Sequence, residues 1–212
     1  MLPSPRYDGF PEWFFLRLDE DDDGAFYVEE RLVTHIDDGA VEAVGSFYAE
    51  LGLGNGDVLD LCSSWISHFR APPRSLVALG MNASELARNA DATSTVVHDL
   101  NQRPQLPFED ASFDTVTCCV SVDYLTAPLE VFDEVARVLR PGGVFACTFS
   151  NRCFPTKAIR GWLASDDEQH CALVAEYFRR SPGFETPQAR HCNPGAIGDP
   201  LFAVWARTPP LV

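Results

Sequence analysis

Positive charge is scarce in this chain. Lysine and arginine number 16 against 31 aspartates and glutamates in 212 residues, a formal net charge of −15. Such a surface repels phosphate backbones, so no nucleic-acid partner is expected. A local basic pocket remains compatible with it. The chain also lacks any apolar run long enough to span a bilayer, so no membrane partner is expected. Its start lacks the basic-then-apolar pattern of a secretory signal. The seven cysteines, at 62, 118, 119, 147, 153, 171 and 192, include no Cys-x-x-Cys spacing. That excludes a zinc ribbon or a thioredoxin-type motif. His170–Cys171 and His191–Cys192 are neighbours in sequence, and neighbouring side chains diverge, so no metal site is expected. Reduced thiols fit the cytoplasm or another reducing compartment such as a plastid stroma. Internal repeats and low-complexity segments are missing as well.

What is present is core material. Apolar residues make up 46% of the chain and phenylalanine alone occurs 15 times, enough for a sizeable core. One domain is expected over 1–212, with a flank at 1–36 packed on a core at 37–207. In the flank, Asp19 to Asp23 reads as a solvated turn. Trp13, Phe14, Phe15, Phe26 and Tyr27 need something to bury against.

Periodicity then predicts alternating elements. Val41, Val44, Phe47, Tyr48 and Leu51 mark a helix at 37–51, capped by Asp37 or Asp38 and ended by Gly52. Strands are expected at 57–62, 75–80, 95–98, 113–120 and 144–149, with helices at 83–90 and 129–139. Pro141-Gly142-Gly143 is expected to stop the second of these helices. Two more helices, 155–164 and 166–180, precede closing strands near 184–191 and 201–207. Short apolar strands separated by helices mean an α/β fold, with a mainly parallel sheet covered on both faces. The short last connection implies one antiparallel strand.

Two segments carry a family likeness. Leu106-Pro107-Phe108-Glu109-Asp110-Ala111-Ser112-Phe113-Asp114-Thr115-Val116 is one, and Glu134 to Gly143, ending Arg-Pro-Gly-Gly, is the other. Both closely resemble elements around the fourth and fifth strands of class I S-adenosylmethionine-dependent methyltransferases, specifically the methyltransferase type 11 branch. Asp57 to Phe69 resembles the first strand and cofactor loop of that family with its glycines replaced. Val58, Leu59, Asp60 and Leu61 keep the strand and its acid, while Cys62, Ser64 and Ile66 stand where glycines belong. The Ser63-Ser64-Trp65-x-Ser67-His68 and Gly80-Met81-Asn82 signatures resemble a subgroup with a divergent cofactor loop. The resemblance implies a Rossmann-like, mainly parallel seven-stranded sheet and S-adenosylmethionine as cofactor.

It also implies a set of binding positions. Asp60, Cys62, Ser63 and Ser64 fall on the first strand and its loop, and small Ser63 and Ser64 suit the methionine part. Gly80 stands where the family has the acid that holds the ribose, followed by Met81 and Asn82. Asn82 would offer an amide in its place. Asp99 and Leu100 match the pair that receives the adenine, and Ser121 follows the fourth strand. Trp65 reads as a residue that walls off part of the pocket. His68 reads equally as a structural residue or as a replacement contact.

On the acceptor side, His35, Tyr124 and Arg152 each lie before the first core helix or just past a strand end, where open parallel sheets bind ligands. His35 reads either as part of a capped helix start or as a general base. Arg152 and Lys157 read either as a clamp for a carboxylate or phosphate, or as a surface ion pair and a solvated lysine. Val120-Ser121-Val122-Asp123-Tyr124 lacks the Asn-Pro-Pro-Tyr element of amino-group methyltransferases, which argues against DNA bases and glutamine as acceptors. A small polar acceptor is expected. Two rivals stay open on the same fold: a protein without catalysis, and an enzyme of another adenosine-like ligand.

Overall fold

A computed structural model describes residues 5–211. Among the described residues seven strands form one sheet, ordered β3-β2-β1-β4-β5-β7-β6. They are β1 Asp57–Leu61, β2 Ser75–Gly80, β3 Ser94–Val97, β4 Phe113–Cys119, β5 Leu139–Phe149, β6 Gln188–His191 and β7 Phe202–Arg207. The first five run parallel, and β7 runs antiparallel to both of its neighbours. This is the Rossmann-like arrangement expected from the sequence, including its single reversed strand. The helices are α1 Asp23–Phe26, α2 Asp38–Leu51, α3 Ala83–Leu86, α4 Pro128–Val138, α5 Arg160–Leu163 and α6 Asp167–Arg180.

The two faces of the sheet are covered differently. On one, α4 and α6 pack through Phe132, whose ring meets Phe145 at 4.9 Å and Phe178 at 4.8 Å. On the other, α2 lays Val44, Phe47 and Tyr48 against β5 and β7, with Phe47 edge-on to Trp205 at 5.2 Å. Asp37 caps α2 through the Ala40 amide at 2.8 Å, and Gly52 ends it at φ 66°.

The β2–β3 side of the sheet is thinly clad. The β1-to-β2 crossover, 62–74, contains no helix. The expected helix at 83–90 is only the single turn α3. The flank covers this side instead. Asn82 donates to the carbonyls of Tyr27 and Val28, and the Arg31 amide donates to Glu85 at 2.6 Å. Farther on, the flank follows the 156–161 segment: Gly161 takes the Phe14 ring where a Cβ would sit at 2.3 Å.

Several local expectations change in the structure. The 155–164 helix shortens to α5, because Lys157 and Ile159 are drawn inward and the Ile159 amide bonds the Asp123 carbonyl at 3.0 Å. β5 begins at Leu139, directly after α4, and absorbs Pro141-Gly142-Gly143 as an irregular first half with a register shift opposite β4. The Asp19 to Asp23 run is solvated at Glu20, Asp21 and Asp22, but its two ends turn inward. Asp23 is buried, with Arg17 Nη1 at 2.6 Å, Lys157 Nζ at 3.1 Å and Asn101 Nδ2 at 2.9 Å. Burial pushes the Asp23 pKa up, but hydrogen bonds from Asn101, Arg17 and Lys157 outweigh it and leave it lowered. Lys157 is only 1% exposed and also meets Asp19 at 3.0 Å and the Asp21 carbonyl at 2.8 Å. It is therefore neither a substrate clamp nor a solvated lysine: it ties the flank to the core.

Candidate functional site

The C-terminal ends of the parallel strands open into one cavity of about 550 Å³. This is where open α/β sheets bind ligands, and the volume suits a nucleoside-sized molecule with a small partner.

Asp60 organises the floor without lining it. Its carboxylate is buried and accepts from Ser63 Oγ, Ser67 Oγ and Thr117 Oγ1, each at 2.7 Å. Burial raises its pKa, against the pull of these hydroxyl donors. Asn89 adds bonds to Ser67 Oγ at 2.8 Å and to the Ser64 carbonyl at 3.1 Å. The loop after β1 is thus fixed by side chains rather than by a helix. Cys62 there adopts φ 51°, the left-handed conformation a glycine takes freely. Val120, at the end of β4, adopts φ 45°. A β-branched residue held so costs on the order of 1–3 kcal/mol, and such strain gathers at ligand sites.

The missing acid after β2 and the altered loop are one feature. The Ser63 amide donates to the Leu79 carbonyl at 2.8 Å, which draws the loop across β2. A Cβ on Gly80 would stand 2.0 Å from the Ser63 carbonyl oxygen. No side chain of any kind fits at position 80 beneath this loop.

Cys62, Ser63, Ser64, Gly80, Met81, Asn82, Asp99, Leu100 and Ser121 all line the cavity. Their polar groups differ in how far they are already engaged. Asn82 uses its oxygen to cap α3, through the amides of Ser84 and Glu85, and its nitrogen to hold the flank. Ser64 Oγ donates to Glu85 at 2.6 Å, and Ser121 Oγ to the Cys119 carbonyl at 3.0 Å. Asp99 Oδ1 accepts the amides of Asn101 and Gln102. Trp65 does not line the cavity: its indole donates to the Val33 carbonyl at 3.2 Å.

His35, Tyr124 and Arg152 line the same cavity despite their separation in sequence. The His35 ring stands edge-on to Phe154 at 5.1 Å, and burial lowers its pKa. Tyr124 Oη accepts the Phe154 amide at 2.8 Å, fixing the loop after β5. Arg152 lies at the mouth, 64% exposed, and pairs with Asp199 at 3.2 Å. Sequence reasoning missed other lining residues, charged or polar ones among them being Asp23, Arg31, Glu85 and Asn101. Arg31 lies 4.6 Å over Phe26 and 5.6 Å over Phe154. Asn101 ties Asp23 to the Tyr124 carbonyl and to Thr126. For the flank residues, only the flank's aromatic content hinted that it would reach the core.

Residues 49–147 match the family described as "Methyltransferase domain". The match spans somewhat less than half of the chain. Among curated relatives, the chain is 29% identical over 149 residues to a malonyl-[acyl-carrier protein] O-methyltransferase of Marinomonas sp. (strain MWYL1), covering 68% of this chain and 52% of that protein. The chain spans about half or less of the length of the first curated relatives it matches. Among solved structures, the methyltransferase in complex with the Haloferax volcanii Trm112 methyltransferase activator superposes with a TM-score of 0.56 at 18% identity, over 81% of this chain and 92% of that one. The [4+2]-cyclase SpnF superposes with 0.59 at 17% identity, over 79% and 80%. At such identities the likeness is one of fold. No described helix is long and apolar enough to cross a membrane.

Proposed function

We propose that the chain is an S-adenosylmethionine-dependent methyltransferase acting on a small polar molecule through a glycine-free variant of the cofactor loop. The observation that carries this reading is the single cavity. It joins the loop after β1, the ends of β2 and β3, and the polar turns after β4 and β5, within the segment that matches the methyltransferase domain.

The residues present fit the cofactor. Ser63 and Ser64 are small, Cys62 takes the backbone turn of a glycine, and Asp99 presents its carboxylate at the end of β3. Asp99 would receive the adenine amino group, and the Cys62–Ser64 stretch would face the methionine part. When bound, the cofactor supplies a methyl group on an electrophilic sulfonium, so the protein mainly aligns the acceptor and excludes water. Burial lowers the pKa of His35, which favours the neutral ring that could take a proton from the acceptor. Arg152 and Arg31 supply positive charge at the mouth for an anionic or polar acceptor. Tyr124 holds the β5 loop in register through Phe154.

A second reading is favoured by the helix-less β1–β2 crossover: a binding protein or an enzyme of another adenosine-like ligand on the same fold. SpnF, a cyclase of this fold, illustrates that likeness of shape does not fix the reaction. Calorimetric titration separates the readings. The first expects S-adenosylmethionine and S-adenosylhomocysteine both to bind, with Asp99→Ala weakening each by about 1.5–3 kcal/mol. Failure of both to bind the wild type removes it.

A further inference from the structure

If the cofactor reading holds, its ribose brings a vicinal diol to the end of β2, where Gly80 leaves no side chain to meet it. We infer that Glu85, from α3, is the residue that takes this diol. The inference rests on the cofactor reading and adds to it a residue that the sequence did not single out as a site residue.

The carboxylates lining the cavity are Asp23, Glu85 and Asp99. Asp23 is buried and saturated by Arg17, Lys157 and Asn101. Asp99 stands at the end of β3, one strand farther out, with one oxygen holding the turn at Asn101 and Gln102. The Asn82 amide is spent on the α3 cap and the flank. At the β2 end this leaves Glu85.

The geometry then favours it directly. Glu85 is half-buried, and each of its oxygens accepts one short hydrogen bond. Oε1 takes the Arg31 amide at 2.6 Å and Oε2 takes Ser64 Oγ at 2.6 Å. A carboxylate has about four acceptor sites, so roughly two remain for hydroxyl donors. The two donors it already holds come from the flank and from the β1 loop, on either side of the β2 end. They fix the rotamer before any ligand arrives, as a preorganised site requires. The same Ser63–Ser64 segment that forbids a side chain at Gly80 thus supplies the hydroxyl that orients Glu85. Loss of an acid at one position and its supply from another are parts of a single rearrangement.

The test pairs a protein change with a ligand change. S-adenosylhomocysteine and its 2′-deoxyribose analogue are titrated calorimetrically into wild type, Glu85→Gln and Asp99→Asn. The wild type is expected to prefer the ribose form by roughly 10- to 100-fold, the range of a hydrogen bond to a charged group. In Glu85→Gln that preference should fall to within about threefold of unity, while Asp99→Asn keeps it. A merely structural Glu85 would weaken both ligands alike and leave their ratio unchanged, which overturns the inference. Loss of the preference in Asp99→Asn, with Glu85→Gln retaining it, also overturns it and moves the diol to β3. Absence of S-adenosylhomocysteine binding to the wild type removes the cofactor reading itself, and the inference with it. Thermal unfolding of each variant without ligand reports whether the clasp to Ser64 and Arg31 is also weakened.

Discussion

Replacing Asp123 by asparagine is expected to stabilise this protein, and to do so increasingly as pH rises. Asp123 lies in the short turn after β4, beside the cavity-lining Tyr124. Its carboxyl is 2% exposed and Oδ2 has no hydrogen-bond partner. Burial pushes its pKa up to about 8, against the lowering effect of hydrogen bonds to its own backbone and to Tyr124. An unfolded aspartate titrates at about 3.9. The folded state therefore keeps a proton that the unfolded state has released, so stability falls as pH rises between those values. Each pH unit in that window is worth about 1.4 kcal/mol. At neutral pH, about three units above the unfolded value, the accumulated loss is on the order of 4 kcal/mol. Asparagine has nearly the same shape and no proton to keep. Its amide hydrogens, unpaired where Oδ2 now stands, cost about 1–3 kcal/mol. The expected net gain at neutral pH is then roughly 1–3 kcal/mol. His35, His68 and His170 have pKa values lowered by burial, so they erode stability toward acid, below about 6.5. They do so in both proteins and cancel in the difference. Urea denaturation from about pH 5 to about pH 8 measures that difference. It should grow by about 1.4 kcal/mol per pH unit and level off above the folded pKa. A difference that stays constant across the range refutes the buried, protonated Asp123.

Three further outcomes follow from the same structure. Gly80→Ala places a Cβ 2.0 Å from the Ser63 carbonyl, so the β1 loop must move. A loss of at least about 2 kcal/mol in denaturant unfolding is expected, with weakened S-adenosylhomocysteine binding, and a neutral substitution would contradict the crossing of the loop over β2. Lys157→Ala removes one of the two cations paired with buried Asp23 and a partner of Asp19, while Arg17 still holds Asp23. It should cost about 1–3 kcal/mol and make residues 19–31 the first site of limited proteolysis. Arg152→Ala, at the exposed mouth, should change stability by less than about 0.5 kcal/mol, since surface pairs contribute little. If Arg152 meets the acceptor, the change appears as a raised KM, and an unchanged KM leaves only the pair with Asp199.

By itself the sequence determined the order of elements, because that information is local and periodic. The apolar runs of β1, β4 and β5, the Asp37 cap and Gly52 stop of α2, and the Leu106 to Val116 segment each announce themselves within a dozen residues. Parallel order with one reversed strand then follows from connection lengths. The wall of the cavity where strand ends meet was legible too, which is why residues as far apart as His35, Tyr124 and Arg152 were named together and line one space. Tertiary structure alone decided which polar groups are free there. Asn82 looked like a ligand amide and is held by the flank. Asp60 looked like a binding acid and is the hub of a hydroxyl network beneath the loop. Lys157 and Asp23 looked solvated and are buried against each other, while Glu85 was not named as a site residue and faces the cavity. A side chain's partners lie on segments brought together only by packing, and a carboxylate's burial depends on charges more than a hundred residues away, as Lys157 is from Asp19 and Asp23. Periodicity reports which face of an element is apolar. It holds no record of what a polar atom will find opposite it.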